Sequence, residues 1–267
     1  MRVIRFIDAD NTVKTGSVDD EANIRLFNSE GGLCDEIFDN SSVKHILAPI
    51  EPRNIICIGA NYAAHAAEAG RDVPERPLIF MKPVSALNHP GMPIRIPKVC
   101  DPAGETDYEC ELAVVIGREG RDIPEEHALN HVLGYTCAND VSARKWQKTG
   151  SGGQWVRGKG FDTFCPLGPV LVTPDEIPDP QILNISTTIN GETLQAANTK
   201  DMIFNVAFLI SFLSQDTTLL PGTVILTGTC EGVGAARDPQ RWLVPGDEVT
   251  VEIQGIGKLT NPVVAAE

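Results

Sequence analysis

Positive charge is scarce in this chain. Its 267 residues carry 22 Lys and Arg against 36 Asp and Glu, a formal net charge of −14. A nucleic-acid binder needs a basic face for phosphates, so this composition argues against one. An anionic small molecule remains admissible if a local basic pocket exists. Long apolar runs are missing as well. None reaches the roughly 18 residues that a membrane-spanning helix requires. Cysteine pairing signals are absent: the seven cysteines are scattered and no CxxC occurs, which leaves zinc-ribbon and thioredoxin motifs unsupported. Their odd number and apolar neighbours fit reduced thiols in a reducing compartment. The opening "MRVIRFIDAD" has neither a signal-peptide core nor an Arg/Ser-rich transit character. The expected location is the cytoplasm, with the mitochondrial matrix as the alternative.

What is present is globular in texture. Hydrophobic residues make up 42% and charged residues 22%, a balance that argues against disorder. Residues 1–50 alternate in short pieces such as "VIRFID" and "NIRLFN", which predicts a small β-rich N-terminal domain. The two prolines of "LAPIEPRN" mark its end, and residues 51–267 form the expected larger domain. There, short apolar runs bounded by Gly, Pro or Asp read as strands: "IICIG", "ELAVVIG", "TVILTGT" and "VTVEIQGIG". Asn190-Gly191 predicts a tight hairpin. Helices are few. "AAHAAEAG" ends on Gly70 and "EEHALNHVLG" is a second candidate. "DMIFNVAFLISFLSQ" repeats Met202, Val206, Leu209, Ile210 and Leu213 at helical spacing, with Thr199 or Asp201 as its cap. No βαβ rhythm or internal repeat occurs. The expected fold class is α+β and β-dominated.

The chemistry-bearing residues begin with "YECEL". Residues i and i+2 of a strand share a face, so Glu109 and Glu111 project together while Tyr108, Cys110 and Leu112 face away. Two neighbouring carboxylates repel unless paired. A hard divalent cation such as Mg²⁺ or Ca²⁺ would hold them, and Arg or Lys partners are the alternative. Asp140 in "GYTCANDVSAR" is the third candidate ligand, or else the cap of a helix that follows it. His65 and Glu68 lie three apart on a predicted helix, either as an acid/base dyad or as a surface pair.

The stretch "GQWVRGKG", residues 153–160, imitates a phosphate loop but places Gly160 where Ser or Thr must bind Mg²⁺. The prolines of "FDTFCPLGP" also forbid the required helix. The expected structure is a flexible loop that delivers Lys159 to a pocket; an exposed loop lysine is the alternative. Arg144 and Gln147 follow Asp140 at i+4 and i+7, one helical face, and are candidates for gripping a carboxylate. Lys82, ending a strand, and Thr229, in a glycine turn, are candidates for the same task. Each of these has a plainer reading as a surface charge or an ordinary turn.

Six segments in order, "CIGANYAAHAAE", "DYECELAVVIG", "GYTCANDVSARKWQ", "GKGFDTFCPLGP", "INGETLQ" and "TVILTGT", resemble the fumarylacetoacetate hydrolase superfamily over residues 50–264. Within it the match looks closest to the oxaloacetate tautomerase and diketo-sugar-acid hydrolase branches. The resemblance implies a mixed β-roll with a small N-terminal domain, a homodimer, and a Mg²⁺ or Mn²⁺ site at Glu109, Glu111 and Asp140. It further implies a catalytic His65–Glu68 dyad on a lid, with Lys159 and Gln147 at the substrate and Arg144, Lys82 and Thr229 as further contacts. The expected chemistry is metal-stabilised enolate formation from a small 2-oxo or 1,3-dicarbonyl acid. It ends in tautomerisation, in loss of CO₂, or in C–C bond hydrolysis, with tautomerisation of an oxaloacetate-like acid preferred. Two departures stand out. Ala60 replaces an Arg of the acylpyruvase branch. Cys230 replaces the Pro of "TGTP" and is expected to expose a thiol.

Overall fold

The computed structural model describes residues 1–100 and 105–265; residues 101–104 and 266–267 of the expected larger domain lie outside the described residues. Strands dominate. The central sheet runs, in spatial order, through Ile24–Leu26, Val13–Val18, Arg2–Asp8, Cys165–Val172, Val132–Asn139, Cys110–Ile116, Thr223–Leu226, Asn54–Gly59 and Leu78–Lys82. Most neighbours are antiparallel, but Thr223–Leu226 pairs parallel with Asn54–Gly59. The N-terminal strand Arg2–Asp8 joins this sheet by pairing with Cys165–Val172. A second, five-stranded sheet contains Glu192–Asn198, Asn184–Ile189, Glu248–Ile253, Gly257–Ala265 and Ile94–Ile96. The fold is therefore α+β and β-dominated.

Strand Cys110–Ile116 sits in the middle of the central sheet, with every residue buried. That explains its unbroken apolar run, since a strand covered on both faces has no polar side. Leu112, Val114 and Ile116 enter one core with Leu209, Ile210, Val251 and Ile253. Ala113 and Val115 enter another with Ile55, Cys57, Leu167 and Leu226. The Asn190-Gly191 hairpin forms as expected, with φ of 53° and 84° at the two turn residues.

Three α-helices are described. α1 (Ala63–Glu68) stops in a Schellman arrangement: Gly70, at φ 65°, donates to the Ala67 carbonyl and Arg71 to the Ala66 carbonyl. α2 (Trp155–Lys159) lies where a flexible loop was expected. Gly158 and Gly160 serve close contact: a Cβ on Gly158 would lie 2.4 Å from the Gln147 backbone nitrogen and one on Gly160 2.6 Å from the Val156 carbonyl oxygen. α3 (Val206–Ser214) buries Val206, Leu209, Ile210 and Leu213, but its cap is Asn205, whose side chain accepts from Phe208 N–H at 2.8 Å. The expected caps Thr199 and Asp201 occupy a separate 3-10 turn. Asn61 explains the delay, because it takes the N–H groups of Ile203 and Phe204 at 2.7 and 2.8 Å and holds them outside the helix. "EEHALNH" is a 3-10 helix, Glu125–His131.

Leu112 underpins the strand that carries the acids and is fully buried. Leu112→Ala is expected to lower unfolding free energy by about 2–5 kcal/mol, measured by denaturant titration.

Candidate active site

The strand pairing that builds the central sheet also assembles the acids. Cys110 pairs with Asn139 and Glu111 with Ala138, which brings Asp140, one residue past its strand, alongside Glu109. The Asp140 N–H donates to the Glu109 carbonyl at 2.9 Å, and Asn139 Oδ1 accepts the Glu109 N–H at 3.0 Å. Glu109, Glu111 and Asp140 are all buried. One carboxylate oxygen from each lies within 4.8 Å of the others.

Three cations surround this cluster unevenly. Lys159 Nζ, at the end of α2, bridges Glu109 Oε2 and Asp140 Oδ2 at 2.7 Å each. Arg144 pairs with Glu109 at 2.7 Å and with Asp107 at 2.8 Å. Lys82 bonds Asp140 and donates to the Val141 carbonyl at 3.1 Å. Glu111 has no cationic partner among the described residues and accepts the Gly228 N–H at 2.7 Å. Gly228 sits at φ 98°, and a Cβ there would lie 2.6 Å from that of Asn61, so only glycine brings this donor so close.

The electrostatics follow from that imbalance. Burial alone would raise the Glu109 carboxyl, but Lys159 and Arg144 overcome it and hold it well below the usual carboxylate range. Burial pushes the Glu111 carboxyl far up, and the charges of Asp140 and Glu109 push it further. Against the burial penalty, Asp140 and Glu109 raise the Lys159 ammonium above its ordinary value and keep it charged. An all-oxygen donor set with one uncompensated acid fits a hard divalent cation, Mg²⁺, Mn²⁺ or Ca²⁺.

A cavity of about 240 Å³ opens onto this cluster, lined among others by His65, Glu68, Glu109, Glu111, Lys159 and Thr229. Arg144 and Gln147 also reach its wall and bond each other at 3.1 Å. Asp140 and Lys82 stand behind it. The helical turn that carries Arg144 and Gln147 begins after a short strand, Ser142–Ala143, so Asp140 does not cap it. α1 supplies the dyad: His65 Nδ1 lies 2.7 Å from Glu68 Oε1, and Glu68 Oε2 accepts the Gly232 N–H at 2.8 Å. In the tautomer whose Nδ1–H donates to Glu68, the lone pair on the other ring nitrogen is the one that can accept a proton.

Cys230 corrects an expectation. Its thiol is buried, not exposed, 3.8 Å from the Cys110 sulfur, because Gln195 on strand Glu192–Asn198 covers it. Asp107 was missed altogether. It accepts from Gly234 and Ala235 N–H at 2.7 and 3.0 Å and anchors Arg144. Its signal was available, since Asp107 extends the two-residue period of Glu109 and Glu111.

The fumarylacetoacetate (FAA) hydrolase C-terminal family model matches residues 54–264. The chain belongs to the fumarylacetoacetate hydrolase family. It is 51% identical over 220 residues to "Oxaloacetate tautomerase fahd2, mitochondrial" of Xenopus laevis, covering 82% of this chain and 68% of that protein. It is 47% identical over 219 residues to "Oxaloacetate tautomerase FAHD2A, mitochondrial" of Homo sapiens, covering 82% of this chain and 69% of that protein. A crystal structure described as 5-carboxymethyl-2-hydroxymuconate delta-isomerase, from Mycobacterium smegmatis, superposes with a TM-score of 0.85 at 41% identity, covering 100% of both chains. The β-dominated architecture is that of the fumarylacetoacetate hydrolase C-terminal domain, and the relatives so named are enzymes.

Glu111 would make binding of a cation at this cluster pH-dependent. Its raised carboxyl favours the protonated form in the cation-free fold, so that contribution to stability is full below the ordinary carboxylate range and fades as pH rises through the folded value. A cation must displace the proton, so Mg²⁺ affinity is expected to rise with pH. Glu111→Gln is expected to weaken Mg²⁺ by at least about tenfold and to flatten that pH dependence, both read by calorimetric titration.

Proposed function

We propose that this chain interconverts the keto and enol forms of an oxaloacetate-like 2-oxo acid. Glu109, Glu111 and Asp140 hold a divalent cation, Mg²⁺ or Mn²⁺ with Ca²⁺ as an alternative, which supplies Lewis-acid stabilisation of enolate charge. The observation that carries the reading is one small cavity sharing the carboxylate cluster, the Lys159 ammonium and the His65–Glu68 dyad. The names of the relatives point the same way.

In this reading His65 Nε2 takes a proton from the carbon beside the 2-oxo group and returns one to it. Glu68 holds the ring through Nδ1 and steadies the imidazolium that forms. Lys159 uses two of its donors on Glu109 and Asp140, and its remaining N–H faces the developing oxyanion. Lys82, bonded to Asp140 and the Val141 carbonyl, is a positioning residue for that ligand. Arg144, Gln147 and Thr229 grip the substrate carboxylate. A second reading, hydrolysis of a C–C bond in an acylpyruvate or diketo acid, is favoured by the same dyad, which is equally suited to activating water. A metabolite-binding relative without catalysis is the weakest reading, because the dyad and lysine are all in place.

We also propose a homodimer. Strand Leu78–Lys82 is an edge of the central sheet, with Ile79 46% and Met81 44% exposed, the combination a partner strand or face would cover. We place the chain in a reducing compartment, the cytoplasm or the mitochondrial matrix; animal relatives are named mitochondrial.

Enol-oxaloacetate incubated with the chain and Mg²⁺ is expected to lose its enol absorbance faster than in buffer, and His65→Asn is expected to slow this by about 100-fold or more. Pyruvate formation would add decarboxylation. Cleavage of an acylpyruvate panel without enol turnover would establish the hydrolase reading instead.

A further inference from the structure

Gln195 lies outside the cavity yet joins its two sides. It is 1% exposed and uses all four of its hydrogen-bonding positions. Its Oε1 accepts from the Cys110 N–H at 3.0 Å and from the Thr187 hydroxyl at 2.9 Å. Its Nε2 donates to Thr229 Oγ1 at 2.8 Å and to the Cys230 carbonyl at 2.9 Å. The amide cannot be turned over: a backbone N–H only donates, so the atom facing Cys110 must be the oxygen, and the atom facing the Cys230 carbonyl must be the nitrogen.

This polarity passes to Thr229. An amide nitrogen offers no lone pair, so the Thr229 hydroxyl accepts from Gln195 and must direct its own proton elsewhere. No other described residue accepts that proton, and Thr229 lines the cavity. We infer that Gln195 presets Thr229 as a hydrogen-bond donor to a carboxylate ligand in the cavity. Gln195 is a positioning residue, acting through the Thr229 hydroxyl and through the backbone between Glu109 and Glu111. The preference it creates is for a ligand that presents an acceptor at this spot, which favours an anionic acid over a donor-only group such as an ammonium. A ligand offering only donors there would leave the Thr229 proton unpaired.

The inference rests on the acid-substrate reading above. The test is oxalate binding in the presence of Mg²⁺ by calorimetric titration, with thermal melting to confirm folding. Thr229→Val is expected to weaken oxalate about tenfold, the scale of one hydrogen bond to a charged acceptor, and Thr229→Ser to restore it. Gln195→Met is expected to weaken oxalate similarly in the native background and to add nothing in the Thr229→Val background. Should Gln195→Met fail to fold, Thr187→Val, which removes only one anchor of the amide, is expected to give a smaller loss with the same disappearance in Thr229→Val. Equal losses in both backgrounds, or a Thr229→Val protein that binds as tightly as wild type, would overturn the inference alone. A folded wild type that binds no oxalate would overturn it together with the acid-substrate reading.

Discussion

Repulsion among three buried carboxylates is the constraint on which the rest of the site depends. Removing charges from water is costly, and each must be met by a partner of opposite sign or give up its charge. Glu109 and Asp140 are met by Lys159, Arg144 and Lys82. Glu111 is met, among the described residues, only by the Gly228 N–H and is driven toward its neutral form. A site left one cation short in this way is what the proposed divalent ion would complete. Much of the surrounding architecture serves that shortage: the central strand that aims the acids, the helix that ends in Lys159, and the turn that requires Gly228.

The partners of the acids come from distant parts of the chain. Asn61 ties the start of α1 to the segment before α3 and to the Thr227 carbonyl. Glu68 ties the end of α1 to Gly232. Gln195 ties the second sheet to both the acid strand and the Thr229 turn. These bonds are buried or partly so; those of Asn61, of Glu68 and of Gln195 to Cys110 each span more than 80 residues of the chain, and that of Gln195 to Thr229 spans 34. α1, the strand that carries the acids and the Thr229 turn are therefore held as one unit, the preorganisation that the proposed enolate chemistry would need.

Some of this was legible in the residues. Strand period alone put Glu109 and Glu111 on one side and Cys110 and Leu112 on the other, because side-chain alternation is a local property. Asn190-Gly191 was legible for the same reason. Asp140 was not separable from a helix cap by its neighbours. Its position depends on the register between Cys110–Ile116 and Val132–Asn139, and the family resemblance supplied what the local pattern lacked. Lys82 was placed at a strand end, but its turn toward Asp140 depends on tertiary pairing. α2 was hidden because Gly158 and Gly160 read as flexibility when they are contact points, Gly158 against Gln147 and Gly160 against Val156 and Pro83. The burial of Cys230 was hidden because Gln195 covers it from 35 residues away. Apart from Asp107, whose signal lay in the local period, what escaped was set by contacts between separate segments of the chain.

The most direct test of the account is an anomalous-scattering map from crystals of this chain soaked in Mn²⁺. The account predicts a single strong peak bonded to Glu109, Glu111 and Asp140 together, lost in Glu111→Gln. A protein that takes up Mn²⁺ elsewhere, with these three acids held only by Lys159, Arg144 and Lys82, would contradict it.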